Sequence, residues 1–184
     1  MKDSIFFRRE SKRSYLDKEI PQDVLDQLFE IVRWSPSNSN NQPWRFIFVR
    51  DKERHAKVME GMARGNQWMA RAPVIVVLCA REEDDYVRED DPVKYYQFDS
   101  GLACMSLLLG AVDLGLMAHP TAGWSAPPIK EALGIPDEYH VLCVIGLGYK
   151  GPIEQLTGRA REYDESPRTR KPLSEVIAMD RFEF

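Results

Sequence analysis

The stretch Ser35-Pro36-Ser37-Asn38-Ser39-Asn40-Asn41-Gln42-Pro43-Trp44-Arg45-Phe46 is polar and rigid where the chain on either side is apolar and periodic. Pro36 and Pro43 fix φ and remove backbone donors, and the hydroxyl and amide side chains between them can bond backbone, water or a ligand's polar edge. Taken alone, such a loop is a helix stop followed by an Asx-rich turn into a strand. Taken for its chemistry, it is a loop with a shaped, polar wall.

Upstream, Pro21 suits the first position of a helix in which Val24, Leu25, Leu28, Phe29, Ile31 and Val32 recur near helical spacing up to Trp34. That helix delivers the loop. Downstream, Phe46-Ile47-Phe48-Val49 reads as a strand buried on both faces. A polar helix over about 51–64 follows, with Val58, Met59 and Met62 inward, then a short helix over 65–72 leading to Pro73. Val74-Ile75-Val76-Val77-Leu78-Cys79 is the clearest central strand. The next segment, 81–91, carries seven acids that cannot pack together and reads as a mobile surface excursion.

From 93 to 114 the pattern is helical and apolar nearly all round, with Gly101, Ala103, Ser106, Gly110 and Ala111 letting another helix come close. That neighbour is either part of the same core or a second subunit. Gly115 ends the helix, and 116–124 leads into a turn before a short helix near Pro128. His119, beside Pro120, has no carboxylate or nucleophile visibly paired with it, so it reads as structural. Residues 139–149 form another buried strand whose Gly146 and Gly148 mark a close approach rather than a dinucleotide fingerprint, because no helix follows. The polar tail holds Leu173, Val176 and Ile177, which can dock on the body.

At 184 residues and 43% hydrophobic, the chain suits one domain over 1–184, of α+β class with four or five strands covered by helices. A net charge of −4 argues against nucleic acid as partner. Cys79, Cys104 and Cys143 lie far apart with no metal-ligand spacing. The start of the chain has no leader-like apolar core, and no run is long enough to span a membrane, so a soluble cytoplasmic protein is expected.

The charge is unevenly placed. Arg8, Arg9, Lys12 and Arg13 form one basic cluster, and Arg168, Arg170 and Lys171 form a second at the other end of the chain. Each is a solvated basic turn or a phosphate grip, since guanidinium forks match phosphate oxygens.

Four marks in order, Arg9-x-Ser11-x-Arg13, Pro36-Ser37-x-x-Asn40-x-Gln42-Pro43-Trp44, Ala122-Gly123 and Arg168-x-Arg170, make the chain resemble the FMN-dependent nitroreductases over nearly its whole length. The resemblance implies a mostly antiparallel four- to five-stranded sheet flanked by helices, in an intertwined homodimer with FMN at the subunit interface. One strand would be completed by the partner's tail. It also implies NADH or NADPH as co-substrate and ping-pong hydride transfer through flavin N5 to nitroaromatics, quinones or similar acceptors. A same-fold reductive reaction such as dehalogenation, and a non-catalytic flavin-binding role, stand as alternatives.

By the same resemblance, Arg9, Glu10, Ser11 and Arg13 with Arg168 and Arg170 hold the flavin phosphate and ribityl chain. Pro36, Ser37, Asn38 and Asn40 meet the ring of the cofactor gripped by the other subunit, and Gln42 and Trp44 hold the loop. Asn66 or Gln67 supplies a further ring contact, and the backbone of Ala122 and Gly123 points at N5. Arg13 is placed to stabilise the reduced ring. Tyr86, Tyr95, Tyr96 and Trp124 are pocket candidates. No metal and no catalytic side chain is expected, the flavin carrying the chemistry.

Overall fold

The computed structural model describes residues 3–184. Met1 and Lys2, the start of the stretch read for a leader, lie outside the described residues. Four strands, β1 (Trp44–Val49), β2 (Val74–Ala80), β3 (Met117–Thr121) and β4 (His140–Gly148), form one sheet in the order β1-β2-β4-β3, with every pairing antiparallel. The helices are α1 (Ile5–Arg8), α2 (Gln22–Arg33), α3 (Lys52–Glu60), α4 (Tyr95–Asp113), α5 (Ala126–Leu133) and α6 (Gly158–Glu165).

β2 explains the layering. Because side chains alternate across a strand, Ile75, Val77 and Cys79 pack with Val58, Met59, Met69 and Ile129 on one face, whereas Val74 and Val76 pack with Leu25, Leu28, Val32, Leu107 and Ala111 on the other. All seven of its residues are buried. α3 and α5 therefore cover one face of the sheet, and α2 and α4 the other. The close approach expected at Gly110 is made within the chain: a Cβ there would lie 2.9 Å from Ile31 of α2.

Three expectations are corrected. Residues 117–121 form an edge strand rather than a lead into a turn, and Pro120, opposite Ile145, is tolerated because β3 pairs on one side only. The acidic segment is tied down through Asp84, which takes Arg45 Nη2 at 3.0 Å, Arg81 Nε at 2.7 Å and the Tyr139 hydroxyl at 3.1 Å. Lys94 pairs with Glu82 and Arg88 with Asp90, so the acids are dispersed among cations. Leu173, Val176 and Ile177 do not dock on the body of the chain, being 72%, 54% and 58% exposed. Among the described residues, no helix is long and apolar enough to cross a membrane.

Candidate functional site

The segment after α1 is laid against the end of β4. Leu16 donates its N–H to the Tyr149 carbonyl at 2.9 Å, Gly151 donates to Ser14 at 2.8 Å, and the buried Tyr15 hydroxyl donates to Gly146 O at 2.9 Å. Arg9, Ser11 and Arg13 are thereby fixed in place. Arg9 Nη1 donates to Ser11 Oγ at 3.1 Å. Arg168 Nη1 donates to the Phe7 carbonyl at 2.8 Å, bringing the distant basic cluster to the first one.

The consequence shows in Arg9. Its pKa is lowered, first by burial and then by the charges of Arg168 and Arg170, with Glu10 opposing. Cations gathered at a cost to one of their own form a site that favours an anion. Glu10 is ion-paired with Lys150. Arg13 is held differently, by Asp164 and between two rings, its guanidinium 4.9 Å from the Tyr163 ring centre and 5.8 Å from that of Trp68.

Next to this cluster, the backbone around 61–66 runs beside 122–125. Ala63 donates to Gly123 O at 2.9 Å and Ser125 donates to Gly61 O at 2.8 Å. Asn66 Nδ2 reaches the Ala122 carbonyl at 2.6 Å and the Gly123 carbonyl at 3.2 Å, so Asn66 fixes the peptide units of both residues. Gln67 turns instead to the Met62 carbonyl. Gly123 has φ +87°, and a Cβ there would meet Asn66 Nδ2 at 3.3 Å. Both Ala122 and Gly123 are exposed, and among the described residues no acceptor meets the Gly123 N–H.

His119 Nδ1 lies 2.9 Å from the Lys12 carbonyl, which assigns the proton to that nitrogen, and the ring packs on Trp68 with centroids 4.6 Å apart. Burial pushes its pKa down to about 4, so it is a neutral, structural imidazole as the sequence suggested. Among the described residues, no group of three or more His, Cys, Asp or Glu is placed to hold a metal.

The 35–42 loop forms a second group. Ser39, Asn40 and Gln42 have φ of +48°, +59° and +51°, three left-handed non-glycine residues in four positions. Such strain persists only where the surroundings over-determine it. Here Ser37 Oγ accepts the Gln42 N–H at 2.9 Å, Gln42 Nε2 reaches Asn40 O at 3.2 Å, and Asp99 Oδ2 accepts the Asn38 N–H at 2.6 Å. Asn41 Nδ2 reaches Asp85 Oδ1 at 3.2 Å. Gln42 holds the loop, and Trp44, 8% exposed, anchors it as the first residue of β1. Pro36 and Asn40 stay exposed, with Ser37 and Asn38 half-buried.

The structure thus gathers Arg9, Ser11, Arg13, Arg168 and Arg170 in one place, with Asn66, Ala122 and Gly123 tied to it through Trp68 and His119. Pro36, Ser37, Asn38 and Asn40 sit apart: no hydrogen bond or ion pair among the described residues joins them to the first group. Tyr86 and Tyr95 meet edge-on at 5.7 Å, and Tyr96 is buried. Trp124 bridges to Met62. Sequence reasoning missed Asp164, Asp99 and Trp68, none of which sits in a motif.

The nitroreductase family model matches residues 7–67 and 56–149. An FMN reductase [NAD(P)H] of Bacillus subtilis (strain 168) is 36% identical over 135 residues, covering 70% of this chain but 53% of the relative, so the chain spans about half of that protein's length. A crystal structure described as an oxidoreductase containing FMN superposes with a TM-score of 0.86 at 31% identity, covering 98% of this chain and 92% of the other. A nitroreductase family protein from Clostridium difficile 630 superposes with a TM-score of 0.80 at 22% identity, covering 97% of each chain, and supports the fold.

Proposed function

The chain belongs to the nitroreductase family, and from that premise we propose that it is an FMN-dependent oxidoreductase, drawing electrons from NADH or NADPH and delivering them to nitroaromatics, quinones or similar acceptors. The single observation that carries the reading is the convergence of Arg9, Arg168 and Arg170, from opposite ends of the chain, where Arg9 already feels the repulsion of the other two. The donor set fits FMN: guanidinium groups and the Ser11 hydroxyl for phosphate, and a free N–H at Gly123 for the polar edge of the ring.

Bound FMN would supply the chemistry, accepting hydride from the nicotinamide and passing electrons to the acceptor. The chain's residues bind and orient. Arg9, Ser11, Arg168 and Arg170 neutralise the phosphate, with Glu10 contributing its position in the segment while its carboxylate faces Lys150. Arg13 brings a fixed positive charge toward the ring, pinned by Asp164. Asn66 locks the peptides of Ala122 and Gly123 so that the Gly123 N–H meets the ring without reorganisation. Pro36, Ser37, Asn38 and Asn40 offer amide and hydroxyl groups to the ring edge.

We assign that last group to the cofactor of a second subunit, in a homodimer whose chains each fold as one FMN-binding domain. Support comes from what a single chain leaves uncovered. Phe6 and Phe7 of α1, Phe98 and Met105 of α4, and Leu173, Val176, Ile177, Met179 and Phe182 of the tail are all exposed. At the β1 edge, Phe29, Val32, Arg33, Trp44, Phe46 and Phe48 line an open apolar groove of about 280 Å³ suited to a partner's tail. The three free thiols suit a reducing compartment, and we place the protein in the cytoplasm.

An anaerobic titration tests the activity. Purified protein should be yellow, bleach with NADH or NADPH, and regain its colour when a nitroaromatic or quinone is added. Colourless protein that takes up no FMN, or flavin that stays oxidised under excess nicotinamide, overturns the reading.

A further inference from the structure

We propose that Asp164 is a positioning residue that acts on bound flavin through Arg13, aiming the guanidinium and offsetting much of its charge, and so keeps the reduced ring a ready electron donor. The inference deepens the flavin reading and rests on it for what Arg13 faces.

The cations of the site are held in two different ways. Among the described residues, Arg9, Arg168 and Arg170 make no ion pair; their hydrogen bonds go to Ser11 Oγ and to the carbonyls of Phe7 and Thr169. Arg13 is ion-paired with Asp164 at 2.8 Å, through a carboxylate side chain only 2% exposed. A phosphate carries its charge permanently, so cations that serve it are left free to meet it. A flavin ring gains negative charge only on reduction, when two electrons and one proton arrive together as hydride. A bare guanidinium beside the ring would favour that reduced state with its full charge and make the electrons harder to pass on. A counter-charge tempers the effect.

The carboxylate is well placed to supply one. Asp164 is the one buried residue of α6. Both of its oxygens go to residue 13, Oδ2 to the N–H at 2.7 Å and Oδ1 to the guanidinium at 2.8 Å. Lys12 Nζ donates to the Asp164 backbone carbonyl and fixes the helix over the same segment. A buried ion pair adds little net stability over apolar residues of the same volume. What it does supply is a direction and an opposing charge.

The direction does not depend on the carboxylate alone. The Arg13 guanidinium also lies over the rings of Tyr163 and Trp68, 4.9 and 5.8 Å from their centres. Removing the charge of Asp164 therefore leaves Arg13 held in place, with its positive charge no longer opposed.

Spectroelectrochemistry of the full chain loaded with FMN, at one fixed pH and with free FMN as reference, tests this. Loss of a counter-charge from a half-buried site should favour reduced over oxidised flavin about tenfold, which for a two-electron couple is a rise of about 30 mV. Asp164→Asn should show that rise. Asp164→Glu keeps the charge and should stay close to the wild type. Asp164→Ser, which leaves room for water at the Arg13 N–H, should rise as the amide variant does, and it serves if that variant does not fold.

A purely structural Asp164 gives a different result. Arg13 would then drift from the ring, both oxidation states of FMN would bind more weakly, and the potential would stay level or fall. That outcome overturns the proposal, as does a variant that folds and holds no FMN. Wild-type protein that takes up no FMN overturns the flavin reading and this proposal with it. Wild-type protein that binds FMN, beside Asn and Ser variants of unchanged potential, overturns the charge balance alone.

Discussion

Asp164 accepts the backbone N–H of Arg13 at 2.7 Å through Oδ2 and its guanidinium at 2.8 Å through Oδ1, so one carboxylate fixes both the main chain and the side chain of the same arginine. α6, whose sequence has little to bury, is fastened to the N-terminal segment by this pair. Asp164→Ala should cost about 3 kcal/mol in urea unfolding, because it leaves a half-buried guanidinium without its partner. Asp164→Asn keeps an acceptor for the N–H and should cost about half as much. Equal stability of all three proteins would show that the pair holds nothing together.

Arg168→Ala and Arg170→Ala should each weaken FMN binding by roughly 10- to 100-fold, the worth of one charge-assisted hydrogen bond. Riboflavin, which has no phosphate, should bind each variant as it binds the wild type. Flavin fluorescence quenching measures both. A matching loss for riboflavin would place these cations elsewhere than on the phosphate.

His119 gives a pH prediction. Its folded pKa is depressed to about 4 by burial, whereas the unfolded imidazole takes a proton near pH 6.5. Between those values the unfolded chain binds more protons than the folded one, so stability falls as pH falls, by up to about 3 kcal/mol. His119→Asn, whose Nδ2 can still donate to the Lys12 carbonyl, should remove that slope. Denaturant midpoints measured across the window decide it.

Gly123→Ala should destabilise by about 1–2 kcal/mol, since φ is +87° and the added methyl lies 3.3 Å from Asn66 Nδ2. Asn66 must then give ground, and the Ala122 and Gly123 peptides lose their fixed orientation. Flavin affinity should fall with the melting temperature, and an unchanged affinity would remove the Gly123 N–H from the site.

Subunit sharing is tested by complementation. Asn40→Ala and Arg13→Ala, each inactive for loss of FMN, should regain part of the activity when mixed, since one of the two sites in the heterodimer is intact. If both variants fold and dimerise and no mixture recovers activity, the loop does not serve the partner's cofactor.

How much the sequence disclosed depended on where the determining forces lay. β2 is read directly from Val74 to Cys79 because burial on both faces leaves an unbroken apolar run. α2 and α4 follow from periodicity. β3 was hidden by His119 and by Pro120, which an edge strand tolerates, and α6 by the lack of an apolar stripe over Gly158–Glu165, since polar contacts of Asp164 and Tyr163 with Lys12 and Arg13 hold it. The acidic segment misled because seven like charges suggest repulsion, while their partners, Arg45, Arg81 and Lys94, are visible only in the fold. For the site, motif-borne residues such as Arg9, Asn40 and Gly123 were legible. Asp164 and Trp68 hold Arg13 and Asp99 holds Asn38 from distant elements, and nothing in their own neighbourhoods announces it.

The uncovered tail has a thermodynamic consequence. Phe182, 92% exposed, and Met179, 79% exposed, are surfaces that water disfavours until something meets them. If a second copy is what meets them, folding and assembly form one equilibrium, and the melting temperature must climb with protein concentration by mass action. A dilute protomer would then be both less durable and unable to complete a cofactor site, so stability and cofactor loading would rise together with protein concentration.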